Sequence, residues 1–140
     1  MEASGYSIQT IKKIAENHTF AMVSRLPSAL ITPPQWTRKE RGHDLIFPRL
    51  IGPITIEVKG RTKKELDFGT KNDGDYVISD FLVYVRVANG LPDLSLVVPL
   101  NILRTVERKS GPRNYRYDLS KIVNWESYID AWNLLEEPVK

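Results

Sequence analysis

Two short apolar segments of this chain carry charged side chains that suit metal binding and phosphate chemistry. Asp44 stands in residues 41–47, and Glu57 and Lys59 stand in residues 54–60. Carboxylate oxygens are the protein ligands that Mg²⁺ prefers, usually one or two of them with water and phosphate. A divalent cation acidifies water and neutralises phosphate charge, and an ammonium group can stabilise the transition state. The three side chains therefore predict phosphodiester hydrolysis, if the fold brings them together.

The spacing of these charges predicts an antiparallel hairpin that brings the two carboxylates together. Residues 43–48 and 54–60 have the composition of strands and are separated by a Gly-Pro turn signal. A hairpin symmetric about residues 50–51 pairs Asp44 with Glu57. Opposed residues have Cβ atoms about 4.5–5.5 Å apart, which is close enough for two carboxylates to share a cation. The other face of this hairpin collects the core residues: Leu45, Phe47, Ile54, Ile56 and Val58.

The residues that follow Glu57 add further candidate groups. The carbonyl of Val58 is a possible third metal ligand. Lys59 shares the face of Glu57, where it would orient the attacking water or stabilise the transition state. Gly60 lets the backbone approach a bulky substrate closely. The alternative for the charged trio is a surface salt-bridge cluster on the solvated face of the hairpin.

The rest of the chain predicts elements that surround this hairpin. An amphipathic helix is expected from Ser7, its N-cap, to Leu26. Its apolar stripe would contain Ile8, Ile11, Ala15, His18, Met22 and Leu26. Later elements are expected as an edge strand at 29–36, an irregular segment at 61–75, strands at 80–88 and 95–99, a short helix at 99–106, a loop at 109–114, a strand at 115–117 and a helix at 124–137. This order predicts one α/β domain over residues 1–140, with a central mixed sheet of four to five strands between an N-terminal and a C-terminal helix.

The hairpin motif resembles that of the PD-(D/E)xK nuclease superfamily, which includes restriction endonucleases and Holliday-junction resolvases. The resemblance is carried by Gly-His-Asp-Leu at residues 42–45 and Ile-Glu-Val-Lys-Gly at residues 56–60. It implies a restriction-endonuclease-like fold in which Asp44 and Glu57 bind metal and Lys59 is catalytic. It further implies a catalytic role for Glu16, which stands in the first helix. The proline that names the family is replaced by a histidine in this chain.

Positive charge surrounds the candidate site in the sequence. The formal net charge is +3 and the pI is about 9.2, a mild basic excess that suits an anionic polymer. The residues expected to contact nucleic acid are Arg41, Arg61, Lys63, Lys64, Arg113 and Arg116.

These observations together predict a Mg²⁺-dependent deoxyribonuclease, with Mn²⁺ as a possible substitute. Its partner would be DNA, and cutting both strands would require a homodimer or a higher homo-oligomer. The alternative is a catalytically inactive nuclease-fold module that binds nucleic acid or a protein partner. The chain has no cysteine, which excludes disulfides and thiolate chemistry. The N-terminus shows no apolar h-region and the chain has no apolar run of about 18 residues, so we expect a cytoplasmic protein with neither a signal peptide nor a membrane span.

Overall fold

Two sheets and one long helix position the candidate site, and the computed structural model describes residues 6–37, 44–70, 77–112 and 114–139. The helices and strands follow in the order α1 (Ile8–Val23), β1 (Gln35–Trp36), β2 (Leu45–Arg49), β3 (Gly52–Arg61), β4 (Asp67–Thr70), β5 (Phe81–Ala88), β6 (Leu91–Pro99), α2 (Leu100–Leu103), β7 (Glu107–Gly111) and β8 (Asn114–Asp118). A mixed sheet has the strand order β1-β2-β3-β5-β6, and an antiparallel sheet has the order β4-β8-β7. Within these ranges, no helix is long and apolar enough to cross a bilayer.

Helix α1 begins at the predicted residue and buries a slightly different stripe. The Ser7 hydroxyl caps it by accepting a hydrogen bond from the Thr10 amide at 3.1 Å. The helix ends at Val23 rather than Leu26, and the predicted stripe residue Ile8 is 72% exposed. The buried residues of α1 are Ile11, Ala15, Thr19 and Val23. Thr19 is tolerated there because its hydroxyl donates to the Ala15 carbonyl at 2.8 Å.

The predicted hairpin and its register are confirmed. Strands β2 and β3 pair antiparallel with Leu45 opposite Ile56 and Phe47 opposite Ile54. The paired register ends at Leu45, and the Asp44 amide donates to the Ile56 carbonyl at 2.8 Å. The pairing of Asp44 with Glu57 stays a prediction. Strand β3 also pairs with β5, in parallel, so β3 lies in the interior of the mixed sheet.

The two faces of the mixed sheet contact different layers. On one face, α1 packs over the apolar residues of the hairpin, which include Ile54 and Ile56. On the other face, Leu82 and Tyr84 of β5 pack against Phe68 of the second sheet. Glu57 and Lys59 pair with Leu82 and Tyr84 in register, so their face is partly covered by the second sheet. The alternative, a surface salt-bridge cluster on a solvated face of the hairpin, is therefore wrong.

Three sequence predictions outside the hairpin are also wrong. Residues 61–75 contain β4, and the loop expected at 109–114 includes the end of β7. Neither strand has an apolar pattern, because β7 is exposed at three of its five positions and β4 has only four residues. The strand expected at 29–36 is reduced to Gln35–Trp36, which lies at the edge of the mixed sheet as its preceding prolines require.

The predicted C-terminal α-helix is replaced by two 3₁₀ turns, Trp125–Tyr128 and Trp132–Glu136. Between them, Ile129 forms a bridge with Leu96, and the Asp130 amide donates to the Ser95 carbonyl at 2.9 Å. Asp130 adopts a left-handed conformation with φ of 50°. These bonds to β6 interrupt the helical hydrogen-bond ladder, although the spacing of the aromatic residues is helical.

Candidate active site

Asp44 lies at the end of the β2–β3 ladder and is held by backbone hydrogen bonds. Its amide donates to the Ile56 carbonyl at 2.8 Å. Its carboxylate Oδ2 accepts a hydrogen bond from the Val58 amide at 2.7 Å. Ladder amides point along the sheet, so this bond holds the Asp44 carboxylate at the level of the sheet rather than on one face of it. The site therefore begins where the β2–β3 pairing ends.

Glu57 and Lys59 form an ion pair on the face that the second sheet covers. The Lys59 Nζ lies 3.1 Å from Glu57 Oε2, and the two side chains are 25% and 11% exposed. Phe68 of β4 lies over the ammonium group, with its ring centroid 5.9 Å from Nζ. Restricted access of water strengthens this pairing relative to a fully exposed ion pair. The alternative of an ordinary surface salt bridge therefore does not describe this pair.

Glu16 extends from α1 into the electrostatic range of Asp44. Burial raises the pKa of Glu16, and the negative charge of Asp44 raises it further. Lys12 and Lys13 on the same helix oppose this shift. The helix thus brings the Glu16 carboxylate close enough to the end of the β2–β3 ladder for the charge of Asp44 to act on it. Its catalytic role stays a prediction.

Comparison with solved structures finds a bacterial homing endonuclease, I-Ssp6803I, with a TM-score of 0.58. The two chains are 15% identical, and the match covers 94% of each. This chain has a nuclease-like fold. The likeness confirms the predicted α/β class and is one of fold alone, so the resemblance to the PD-(D/E)xK superfamily stays a prediction from the motif. No family model and no curated protein matches this chain.

The candidate ligands fit a hard divalent cation in their chemistry. Asp44 and Glu57 supply carboxylate oxygens and Val58 supplies a carbonyl oxygen, which are ligand types that Mg²⁺ accepts. Among the residues for which positions are described, no group of three or more Asp, Glu, His or Cys side chains is close enough to hold a metal. At most two carboxylates can therefore share an ion in this arrangement, and a third would require Glu16 to move. Magnesium binding stays a prediction.

The basic residues expected to contact nucleic acid lie at several places around the site. Arg61 Nη1 donates to the Gly60 carbonyl at 2.8 Å, and Lys64 is exposed. Lys63 and Arg116 both pair with Asp67 of β4, the former at 3.1 Å. Two further predicted contacts, Arg41 and Arg113, lie outside the described residues.

Two residues of β4 near the site were missed by the sequence analysis. Asp67 pairs with two predicted DNA contacts, and its hydrogen bond to Arg116 contributes most to the lowering of its pKa. Phe68 covers Lys59. The only available signal was the alternation in Asp67–Thr70, whose second and fourth residues are buried, and four residues are too few for such a pattern to stand out.

The raised pKa of Glu16 predicts that the wild type loses stability as pH rises and that Glu16→Gln abolishes this loss. An acid with a raised folded-state pKa loses stability as pH rises from its unfolded pKa, 4.5 here, through the folded value. We expect Glu16→Gln and wild type to differ least below pH 4.5, and the variant to become relatively more stable above it. Urea unfolding at a series of pH values measures this difference. A pH-independent difference would contradict the assignment.

Proposed function

We propose that this protein is a Mg²⁺-dependent DNA endonuclease. Its catalytic residues are Asp44, Glu57, Lys59 and Glu16. The observation that carries the proposal is the arrangement at the end of the β2–β3 ladder. There, one carboxylate is held by the Val58 amide beside a shielded Glu-Lys pair. The nuclease-like fold supports the same conclusion.

Each side chain has a distinct role in this proposal. The Asp44 and Glu57 carboxylates and the Val58 carbonyl bind Mg²⁺, which, when bound, supplies Lewis acidity and neutralises phosphate charge. Glu57 also orients Lys59 through their ion pair. The Lys59 ammonium orients the attacking water or donates to a phosphoryl oxygen, where it offsets the charge that develops in the transition state. Glu16 completes the set from the helix side.

The DNA contacts in this proposal come from basic residues of two regions. Arg61 ends strand β3, Lys63 and Lys64 follow it, and Arg116 lies on β8 of the second sheet. Arg41 and Arg113 complete the predicted set. Lys63 and Arg116 would exchange Asp67 for DNA phosphates. Cleavage of both strands would use two copies of the site, hence a homodimer or a higher homo-oligomer.

A cleavage panel tests the proposed activity. Supercoiled plasmid, a four-way junction and single-stranded DNA are each incubated with the protein and Mg²⁺, Mn²⁺ or a chelator. We expect metal-dependent cleavage of at least one DNA. Binding of DNA without cleavage in any metal would favour the inactive module instead.

The Asp44→Asn variant tests the metal site directly. The asparagine still accepts a hydrogen bond from the Val58 amide, so the fold should persist while the ligand charge is lost. We expect Mn²⁺ affinity to fall at least about tenfold, as measured by titration calorimetry. The matched control is Asp118→Asn, because Asp118 also accepts a backbone amide bond, from Ser120 at 3.1 Å. Equal Mn²⁺ affinities in wild type and Asp44→Asn would remove Asp44 from the site.

A further inference from the structure

Helix α1 approaches strand β3, which carries Glu57 and Lys59, very closely at Gly60. A Cβ atom at Gly60 would lie 2.8 Å from the Ala15 Cβ and 3.0 Å from the Ile11 carbonyl oxygen. Ordinary carbon–carbon contacts are about 3.5–4.0 Å. The absence of a side chain at Gly60 therefore permits the observed helix position. The expectation that Gly60 makes room for substrate is wrong, because the space is filled by the helix.

This contact lies between the candidate site residues of strand β3 and the candidate site residue of helix α1. Gly60 directly follows Lys59 on β3, and strand alternation turns it to the face opposite Glu57 and Lys59. Ala15, which is fully buried, directly precedes Glu16 on α1. This van der Waals contact thus lies between the strand that carries Glu57 and Lys59 and the helix that carries Glu16.

The contact at Gly60 can also adjust less than the other packing contacts of the helix. Side-chain contacts elsewhere, such as those of the partly buried Ile14 and Phe20, can adjust by rotamer changes. The Gly60 contact involves a backbone carbonyl and a side chain that has no rotamers, so an added atom must move the helix or the strand. Glu16 would move with it.

We propose that Gly60 is a positioning residue, which sets the distance of Glu16 from Asp44, Glu57 and Lys59. The inference rests on the proposed function for its catalytic consequence. A methyl group at Gly60 displaces α1 by about 1 Å, which is the difference between 2.8 Å and an ordinary contact. A misplacement of that size in a catalytic site can reduce the rate by about a hundredfold.

The first experiment compares Gly60→Ala with its relieved double variant. We expect Gly60→Ala to lower kcat by about a hundredfold with a smaller change in KM, and to weaken Mn²⁺ binding. Adding Ala15→Gly removes the closer of the two clashes, so the double variant should recover part of both losses. The matched control adds Ala21→Gly instead. It has the same cost in helix propensity, but Ala21 is exposed on α1 and should rescue nothing.

The second experiment measures the helix position without metal or DNA. The chain has no cysteine, so nitroxide labels can be placed at Gln9→Cys on α1 and Leu50→Cys on the hairpin turn. Both positions are exposed. We expect the label distance to change by about 1 Å in Gly60→Ala and to return towards the wild-type value with Ala15→Gly. Should Gly60→Ala fail to fold, Ala15→Ser enlarges the same contact from the helix side and takes its place.

The outcomes separate the two proposals. If Gly60→Ala shifts neither the label distance nor kcat and Mn²⁺ affinity, the positioning role is overturned while the nuclease proposal stands. If Ala21→Gly rescues Gly60→Ala as well as Ala15→Gly does, the losses in Gly60→Ala come from reduced stability. The positioning role of Gly60 is then likewise overturned. If wild type neither binds Mn²⁺ nor cleaves DNA, the nuclease proposal fails. The label distance alone then decides whether Gly60 sets the helix position.

Discussion

Glu57→Gln is expected to reduce DNA cleavage by about a thousandfold or more while the protein stays folded. The change replaces one carboxylate oxygen by an amide group of nearly the same shape. It removes a metal ligand and the anionic partner that lies 3.1 Å from Lys59 Nζ. Single-turnover cleavage at saturating Mg²⁺ measures the loss, and circular dichroism confirms the fold.

The matched control for this substitution is Glu107→Gln. Glu107 is also a partly buried carboxylate in an ion pair, with Arg104, and it accepts a hydrogen bond from the Tyr117 hydroxyl at 2.6 Å. It lies on β7, away from the end of the β2–β3 ladder. We expect this control to cleave within about a factor of three of wild type, since energetic effects of independent sites rarely spread. Equal losses in both variants would attribute the effect of Glu57→Gln to stability.

Lys59→Met distinguishes the role of Lys59 from that of its ion-pair partner Glu57. The methionine preserves most of the apolar stem beneath Phe68 and removes the charge. We expect cleavage to fall by about a hundredfold or more while Mn²⁺ binding persists, because Lys59 is not a ligand. Glu57→Gln should lose both properties. Loss of Mn²⁺ binding in Lys59→Met would show that the lysine organises the ligands rather than the reaction.

Arg49→Met is expected to lower the free energy of unfolding by about 3 kcal/mol. Arg49 ends β2 and is 6% exposed. Its guanidinium donates to the carbonyl groups of Gly52 at 2.8 Å, Leu135 at 3.0 Å and Glu137. Burial lowers the Arg49 pKa, and the charge of Glu136 opposes that shift. Methionine fills much of the same volume but leaves three carbonyl groups without this donor.

Urea denaturation and thermal unfolding measure the Arg49→Met effect. A loss of about 3 kcal/mol corresponds to a decrease in Tm of about 10 °C for a chain of this size. Arg25→Ala is the control, because Arg25 is exposed just after the end of α1. Its substitution should change stability by less than about 0.5 kcal/mol. Cleavage well below the Tm should be unchanged, since Arg49 lies at the opposite end of β2 from Asp44. A change below about 1 kcal/mol would show that water replaces the lost donors.

The local part of the site was predictable because it depends on residues near one another in the chain. The apolar alternation of β2 and β3 has one register that buries Leu45, Phe47, Ile54 and Ile56, and a slip by one residue would expose all of them. That register brings Asp44 to the end of the ladder, where its carboxylate accepts a hydrogen bond from the Val58 amide. The N-cap at Ser7 was likewise visible, because its hydrogen bond spans three residues.

The errors in the fold came from elements whose stability depends on distant partners. Strands β4 and β7 both pair with β8, and Phe68 of β4 stacks on Tyr117 of β8, with ring centroids 5.0 Å apart. Three of the five residues of β7 are charged, and β4 has only four residues, so neither sequence shows a strand pattern that stands out. At the C-terminus, the helical spacing of Trp125, Tyr128 and Trp132 suggested one helix, but hydrogen bonds to β6 favour two short turns.

The sequence by itself determined the hairpin and, with it, the shared face of Glu57 and Lys59 and the place of Asp44 at the end of the ladder, because period-two alternation and a short turn leave one register. Only the tertiary structure decided that Phe68 covers the lysine and that Gly60 admits helix α1 so closely. Those contacts join residues far apart in the chain, and their geometry depends on how whole layers pack, which no local pattern encodes.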